Sequence, residues 1–490
     1  MTSVSRRSFI RGLATVPVGL WLAGKVHANT THIRYDLSSP EGHEMLRILA
    51  QGVAKMKALP GKRPQGWLWQ WYTHFVNGNT TKADEISRLL GGPTTTLGMF
   101  AEETWNTCQS HAGQNANNFM PWHRMYVYFF EEIVREITGR PDFALPYWNY
   151  TSHDPAKRGV VPVEFRLPND PLFGTFYRSF RTSLANSGQP IHQGQPGDPM
   201  DISVAMAKTH YSTIDGVQGF CRAIDSGVHG RIHVLTGTSK NMGAVPYAAQ
   251  DALFWVHHAN IDRMWASWNA NGNPNPTSGS WRDREFVFVD GKGQRVTGRL
   301  RDFFDTNVLG YRYDRHIGPD GREGSATLMT ASAARRSVGT VAERIGSAPS
   351  VELAARPIRS IVRLEDGKPA TALDPSGSRR TWLIVKDLHT WAQPEVLYHV
   401  YLSPRGGGIG PRVYAGNIHF FDAEFHDHGN SNLDEALGEN FYSFDVTEIL
   451  QRIAANGGAS KAPLEVAFVP GGQPTPGAKP LVGTIQLIWQ

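Results

Sequence analysis

Two separated groups of histidines are the residues of this chain whose types and spacing most suggest chemistry. In the later group, His229 and His233 stand four apart in His-Gly-Arg-Ile-His. That spacing puts both imidazoles on one helical face, where they can point at one metal ion. The run from Asp251 to Arg263 follows, with His257-His258-Ala-Asn260-Ile-Asp262 at its centre. Adjacent helical residues diverge by about 100°, so one of His257 and His258 completes a three-nitrogen set. The earlier group is His74 in Trp-Gln-Trp-Tyr-Thr-His, His111 in Cys108-Gln-Ser-His, and His123 in Phe119-Met-Pro-Trp-His-Arg. Neutral imidazole suits copper, zinc, iron and nickel, so the ligand type alone does not choose the metal. Three nitrogens without a carboxylate argue against the iron site built from two histidines and one carboxylate. One isolated histidine, or one such pair on a helix, is ordinarily a surface or satisfied core residue. Two three-histidine groups beside Trp- and Phe-rich helices in one chain are much harder to assemble by chance.

The elements that must position these groups are legible in the apolar periodicity. Met45, Ile48, Leu49, Val53 and Met56 recur at helical spacing across Glu41 to Lys57, and the same pattern predicts helices over Tyr126 to Ile137 and Gln250 to Trp268. Pro155 to Pro199 is dense in Pro, Gly, Asn and Asp and reads as long loops. Residues 317–350 turn to Gly, Ser, Ala and Arg and predict an exposed linker, with Arg335, Arg336 and Arg344 as cleavage points. Beyond it, short β-rich runs at 382–385, 396–402, 418–421, 464–469 and 485–489 are separated by Gly/Pro turns and predict an antiparallel β-sandwich. The expected organisation is a segment 1–28, a mainly α catalytic domain 29–316, a linker 317–350 and a β-sandwich domain 351–490.

Composition narrows the function classes. The 490 residues include 40% hydrophobic and 19% charged positions, with 50 Gly and 31 Pro, which is globular and loop-rich. A net charge of +5 over this length, with no dense basic run interleaved with aromatics, argues against a nucleic-acid partner. Two cysteines, Cys108 and Cys221, exclude a disulfide framework and a Cys-rich metal site, so any metal rests on the 19 histidines and the carboxylates. Ser5-Arg6-Arg7-Ser8-Phe9-Ile10 precedes an apolar run from Gly12 to Gly24 and then Val26-His27-Ala28, a twin-arginine signal pattern with a small-residue cleavage site. The run is too short for a spanning helix and Pro17 interrupts it. The expectation is export by the twin-arginine machinery to the periplasm or outside, with no membrane partner.

Phe119-Met-Pro-Trp-His-Arg-Met-Tyr-Val-Tyr-Phe-Phe-Glu131 resembles the copper-A signature of the tyrosinase, catechol oxidase and mollusc-haemocyanin superfamily, and Asp251 to Arg263 resembles its copper-B signature. Leu145-Pro-Tyr-Trp-Asn149 and Tyr311-Arg-Tyr313 match further family pieces, so the resemblance spans Thr31 to Asp314, and the β-rich tail looks like the extra domain of longer members. The resemblance implies a four-helix bundle holding two copper ions. It assigns copper A to His74, His111 and His123, and copper B to His229, His233 and His258, with His257 beside the ligands. The implied reaction is oxidation of o-diphenols, with monophenols in question, to o-quinones by dioxygen. An o-aminophenol oxidase or a haemocyanin-like oxygen-binding protein remain the alternatives. Phe254, one turn before His258, is placed to pack on that imidazole. Asn260, Asp262, Glu131 and Arg124 read as groups that link helices, and Val234 leaves the substrate entrance apolar.

Departures from the family pattern bear on the chemistry. The second and third copper-A histidines are usually nine apart, whereas His111 and His123 are twelve apart. Some members join a cysteine two residues before this histidine to its ring by a thioether; Cys108 is three before it, and a plain buried cysteine is the alternative. Many tyrosinases place Asn directly after the first copper-B histidine and Glu four before it, together holding a water that deprotonates the phenol. Here Gly230 and Asp225 stand at those positions, so diphenol oxidation is expected to exceed monophenol hydroxylation, and restoring the amide with Gly230→Asn is expected to favour tyrosine. His419, His426 and His428 in the tail read as a solvated loop rather than a copper-delivery cluster. Longer members are often latent because the β-rich domain inserts a side chain into the copper mouth, and the same restraint is expected here.

Overall fold

A computed structural model describes residues 31–108, 117–324, 341–404, 412–424, 441–455 and 463–490. The expected signal segment, His111, His426, His428, Arg335 and Arg336 lie outside the described residues. Helices dominate the first part of the chain, and an antiparallel sheet dominates the tail.

The helix Pro40–Ala58 begins where Ser39 Oγ accepts the Gly42 N–H at 3.0 Å, with proline in the first turn, a start that combines side-chain capping with a preset φ. It packs on the helix Phe119–Thr138, which starts earlier than its apolar periodicity alone suggests and stops at Gly139, whose φ of 69° is the left-handed conformation that ends helices. The helix Ala252–Ala270 is capped by Asp251, which accepts the Leu253 N–H at 3.0 Å and pairs with Arg181 at 2.6 Å. It is buried on every side from Ala252 to Trp268, as expected of a central helix. Residues 155–199 contain only short helical turns at Val163–Phe165, Phe173–Phe176 and Ser183–Ser187 among loops. Among the described residues no helix is long and apolar enough to cross a membrane.

A buried ionic knot ties these helices to the chain's first strand. Arg34, on His32–Arg34, donates to Glu131 at 2.9 Å and to Asp262 at 3.0 Å, and Arg124 pairs with the other Asp262 oxygen. Tyr311 and Tyr313, on the strand parallel to His32–Arg34, donate their hydroxyls to Asp262 at 2.7 and 2.6 Å. Burial pushes the Asp262 carboxyl up, but Arg124 and Arg34 outweigh that and hold it below its ordinary range. Glu131, Arg124 and Asp262 therefore link helices, as expected.

The tail differs from the expected two-sheet sandwich. One continuous antiparallel sheet runs in the order Val413–Ile418, Tyr398–Pro404, Leu464–Pro470, Ile358–Leu364, Glu343–Ala348, Leu481–Trp489, Thr381–His389, Phe441–Asp445. Its first and last strands lie side by side, so it curls into a near-barrel, filled by Val362, Leu383, Val400, Ile485 and the helix Thr447–Ala455. Closure of this kind removes exposed edges that a sandwich would leave. Both ends of the expected linker are structured: Ile317 is buried in the helical core, and Arg344 lies in a strand, paired with Glu365 at 2.7 Å. Arg344 is thus not a cleavage point on an open segment.

Asp262→Asn should destabilise the protein by about 3–5 kcal/mol, because it leaves two guanidinium groups buried beside a neutral amide. Chemical denaturation of the full chain measures this; a change near zero would mean the knot contributes nothing net.

Candidate metal centre

The structure brings His229, His233, His257 and His258 into one buried cluster, and His74, Cys108 and His123 into a second; within each, the potential ligand atoms lie within 4.8 Å of one another. The two clusters share a wall, since the His123 and His258 rings stack with centroids 4.2 Å apart and 8° between planes. His74 comes from the end of the helix Trp67–His74, and His123 from the second turn of Phe119–Thr138. His229 closes a π-turn, Asp225–His229, in which Gly227 departs from helical geometry, and His233 sits on the following helix Gly230–Thr236. The spacing of four still holds, with the two rings 4.6 Å apart.

Backbone carbonyls set which nitrogen faces inward. Nδ1–H donates to Phe119 from His123 at 2.9 Å, to Asp225 from His229 at 3.1 Å and to Met242 from His233 at 2.7 Å. Each ring then presents the Nε2 lone pair to the cluster. His233 Nε2 and both nitrogens of His257 and His258 have no hydrogen-bond partner among the described residues. Burial, reinforced by neighbouring histidines, drives the imidazoles of His233, His257 and His258 well below their ordinary range, so these rings are neutral at physiological pH. Buried, neutral, unsatisfied nitrogens converging in one cluster are what a bound metal ion requires, and the cluster of His74, Cys108 and His123 stands directly against it. Both members of the His257-His258 pair reach the site; His257 also packs on Tyr150, with centroids 5.3 Å apart.

Phe254 packs on His258 at 4.2 Å and on His74 at 5.0 Å, bridging the clusters. Cys108 Sγ lies 3.6 Å from His123 Nε2; its expected partner His111 is outside the described residues. Asp225 is fully buried, with its carboxylate 3.1 Å from Arg222 and 3.3 Å from His229 Nδ1, so it orients an imidazole. Val234 is buried.

Position 230 requires a correction. The space beyond Gly230 is occupied by His419 from the tail, and a Cβ built there would lie 1.9 Å from its ring. Asparagine therefore has no room while the tail is in place, and Gly230→Asn does not simply restore an amide. His419 itself is buried and donates to the Ser226 carbonyl at 3.1 Å, so it is not on a solvated loop. Phe421, two residues on, stacks on His233 with centroids 4.1 Å apart and 11° between planes. Residue-level reading missed Phe421 and Phe119, whose ring lies 4.7 Å from His123 and 4.6 Å from His229. Phe119 was visible as the first residue of the Phe-Met-Pro-Trp-His motif; Phe421 had no local signal.

Residues 70–187 and 178–271 match the common central domain of tyrosinase, and residues 275–319 match the polyphenol oxidase middle domain. The chain belongs to the tyrosinase and polyphenol oxidase family. Tyrosinase HcTyr1 from Hahella sp. (strain CCB-MM4) is 31% identical over 299 residues, 55% of this chain and 60% of that protein. Chloroplastic polyphenol oxidase II from Ipomoea batatas is 25% identical over 303 residues, 55% of this chain and 47% of its own length. The chain thus spans about half to three fifths of the length of these relatives. Latent apple tyrosinase shares the fold with a TM-score of 0.59 at 18% identity, covering 94% of this chain and 97% of its own, and a functional unit of Octopus hemocyanin does so with a TM-score of 0.50 at 15% identity, covering 93% and 99%. Two copper ions are the metals of this family, and the two buried clusters, one of four histidines and one of His74, Cys108 and His123, fit them.

Loaded protein should hold two copper ions per chain. His258→Ala should retain about one, while His257→Ala should keep most of both. Metal analysis giving the reverse order would assign the ligand role to His257.

Proposed function

We propose that this chain is a copper-dependent polyphenol oxidase that converts o-diphenols to o-quinones with dioxygen, and that its tail holds it latent. The observation that carries the reading is Phe421: an aromatic ring lies flat on His233, within the histidine clusters. A face that accepts a phenyl ring from the tail suits a phenol of the same shape once that ring is withdrawn. Support comes also from Phe421 and Leu397, tail residues that are buried in the helical core rather than in the barrel.

Copper, when bound, supplies the electron exchange between the phenol and dioxygen. Two diphenols each give up two electrons and two protons, and the four electrons and four protons reduce one dioxygen to two waters. The chain's own residues supply the rest. His233 offers the stacking face; Phe119 and Phe254 pack on the imidazoles and exclude water from them. Asp225 and the carbonyls of Phe119 and Met242 keep each imidazole in one tautomer. On the family pattern, the helices carrying His74, His123, His229–His233 and His258 would form the bundle that holds the two ions. Ligand assignment follows the family pattern: His74, His111 and His123 for copper A, and His229, His233 and His258 for copper B. The pairing of Asp225 with Arg222 and the lack of an amide at position 230 both favour diphenols over monophenols. Export through the twin-arginine route, with residues 1–28 as signal, accompanies this reading.

The test compares catechol, tyrosine and an o-aminophenol on copper-loaded protein freed of its tail by a protease site inserted among residues 325–340. Catechol should give the highest kcat/KM, and Phe421→Ala in the uncut chain should raise catechol turnover by about tenfold or more, the scale of losing one buried aromatic anchor. Tyrosine hydroxylation without a lag, or oxygen binding with no quinone, would contradict the assignment.

A further inference from the structure

We propose that Gly230 is the seat of the tail: its missing side chain forms a notch for the His419 imidazole, so the residue following the first copper-B histidine also decides whether the enzyme can be capped. The inference rests on the reading that the tail covers the site, and it adds the residue on which that cover depends.

Backbone conformation does not demand glycine here. Gly230 has φ −66° and ψ −31°, ordinary helical values, and at such a position glycine is a poorer helix residue than alanine. The requirement is steric. A Cβ at 230 would stand 1.9 Å from His419 Cε1, 2.1 Å from Nε2 and 2.9 Å from Nδ1, far inside van der Waals contact.

His419 has no freedom to give way. Its Nε2–H donates to the Ser226 carbonyl at 3.1 Å, and its Nδ1 receives the Phe421 N–H at 3.4 Å. Its own N–H donates to the Tyr442 hydroxyl at 2.9 Å, and that hydroxyl donates back to the His419 carbonyl at 3.1 Å. The ring is thus held from both sides, with one bond across to the π-turn that carries His229. Because His419 stands two residues before Phe421, displacing its ring from the notch lifts the aromatic plug from His233. A family-type asparagine at 230 and a seated tail exclude each other, which couples phenol preference to latency through one position.

Four full-length, copper-loaded proteins test this: wild type, Gly230→Ala, His419→Ala and the double variant. The readout is catechol turnover after cleavage among residues 325–340 divided by turnover before it. Each protein is normalised to its own cleaved form, so effects of position 230 on the chemistry cancel. Amide hydrogen exchange over 417–424, measured on the uncut proteins, reports seating without turnover. Gly230→Ala should lower the ratio by roughly five- to a hundredfold, the range overpacking produces, and speed exchange over 417–424. His419→Ala should do so more weakly. The double variant should recover latency relative to Gly230→Ala, because removing the imidazole makes room for the methyl. Gly230→Ala with wild-type ratio and protection overturns the inference, as does a double variant no more latent than Gly230→Ala. Should wild type show no activation on cleavage, the capping reading fails, and exchange alone then decides the notch: unaltered protection in Gly230→Ala rejects it and faster exchange supports it. If Gly230→Ala does not fold, unchanged latency and exchange in His419→Ala reject the proposal.

Discussion

Asp262 brings one carboxylate into a space with no access to water, between the guanidinium groups of Arg34 and Arg124. A buried charge of this kind costs several kcal/mol unless every oxygen is matched, and here both are: two arginines and two tyrosine hydroxyls converge on it. The geometry of the metal centre depends on that match. Arg124 follows His123 directly on its helix, and Asp262 lies one turn beyond His258 on another, so their ion pair sets how the two helices, and the His123 and His258 rings, face each other. Arg34 and the Tyr311–Tyr313 strand then bring the first and last segments of the helical part to the same point. Loss of this constraint would leave both histidine clusters intact in sequence and unregistered in space.

The tail imposes a second, competing constraint. It inserts Phe421 over His233 and His419 beside Gly230, and the contact is secured along its rim by Gln195 with His399 at 2.8 Å, Gln218 with the Phe441 carbonyl at 2.6 Å, and Glu395 with the Ser239 N–H at 2.6 Å. These are dispersed polar bonds beside two apolar contacts, Phe421 over His233 and Val217 against Ile384 and Ile488. Glycine in a helix costs about 0.5–1 kcal/mol against alanine. Gly230 carries that cost beside the histidine cluster, where the His419 ring occupies the space a side chain would take.

Much of the helical part was legible in the sequence because its signals are local. Met45 to Met56 show one apolar stripe, and the helix over them is Pro40–Ala58; His229 and His233 share a face because four residues span one turn. In the tail the runs at 382–385, 396–402, 464–469 and 485–489 fall on strands, but Glu343–Ala348, Ile358–Leu364, Val413–Ile418 and Phe441–Asp445 carried no signal that was read, and alternation does not say which neighbour a strand pairs with. Residues 418–421 read as a strand, yet the strand ends at Ile418: the apolar residues that follow are buried by a distant part of the chain, and no periodicity distinguishes that partner from a sheet. Gly230 reads in sequence only as an absent amide for the same reason. The residue that fills the space lies 189 positions later, and only the folded chain brings His419 to it.

The central claim is that the two histidine clusters form one coupled centre rather than two separate sites, and electron paramagnetic resonance tests it directly. Protein loaded with Cu(II) to two ions per chain, as established by metal analysis, should show almost no spin, because clusters that share the stacked His123 and His258 rings would hold two ions close enough for their electrons to pair. A signal integrating to one full spin for each bound ion would contradict the account, and would make the clusters independent copper sites that share only a wall.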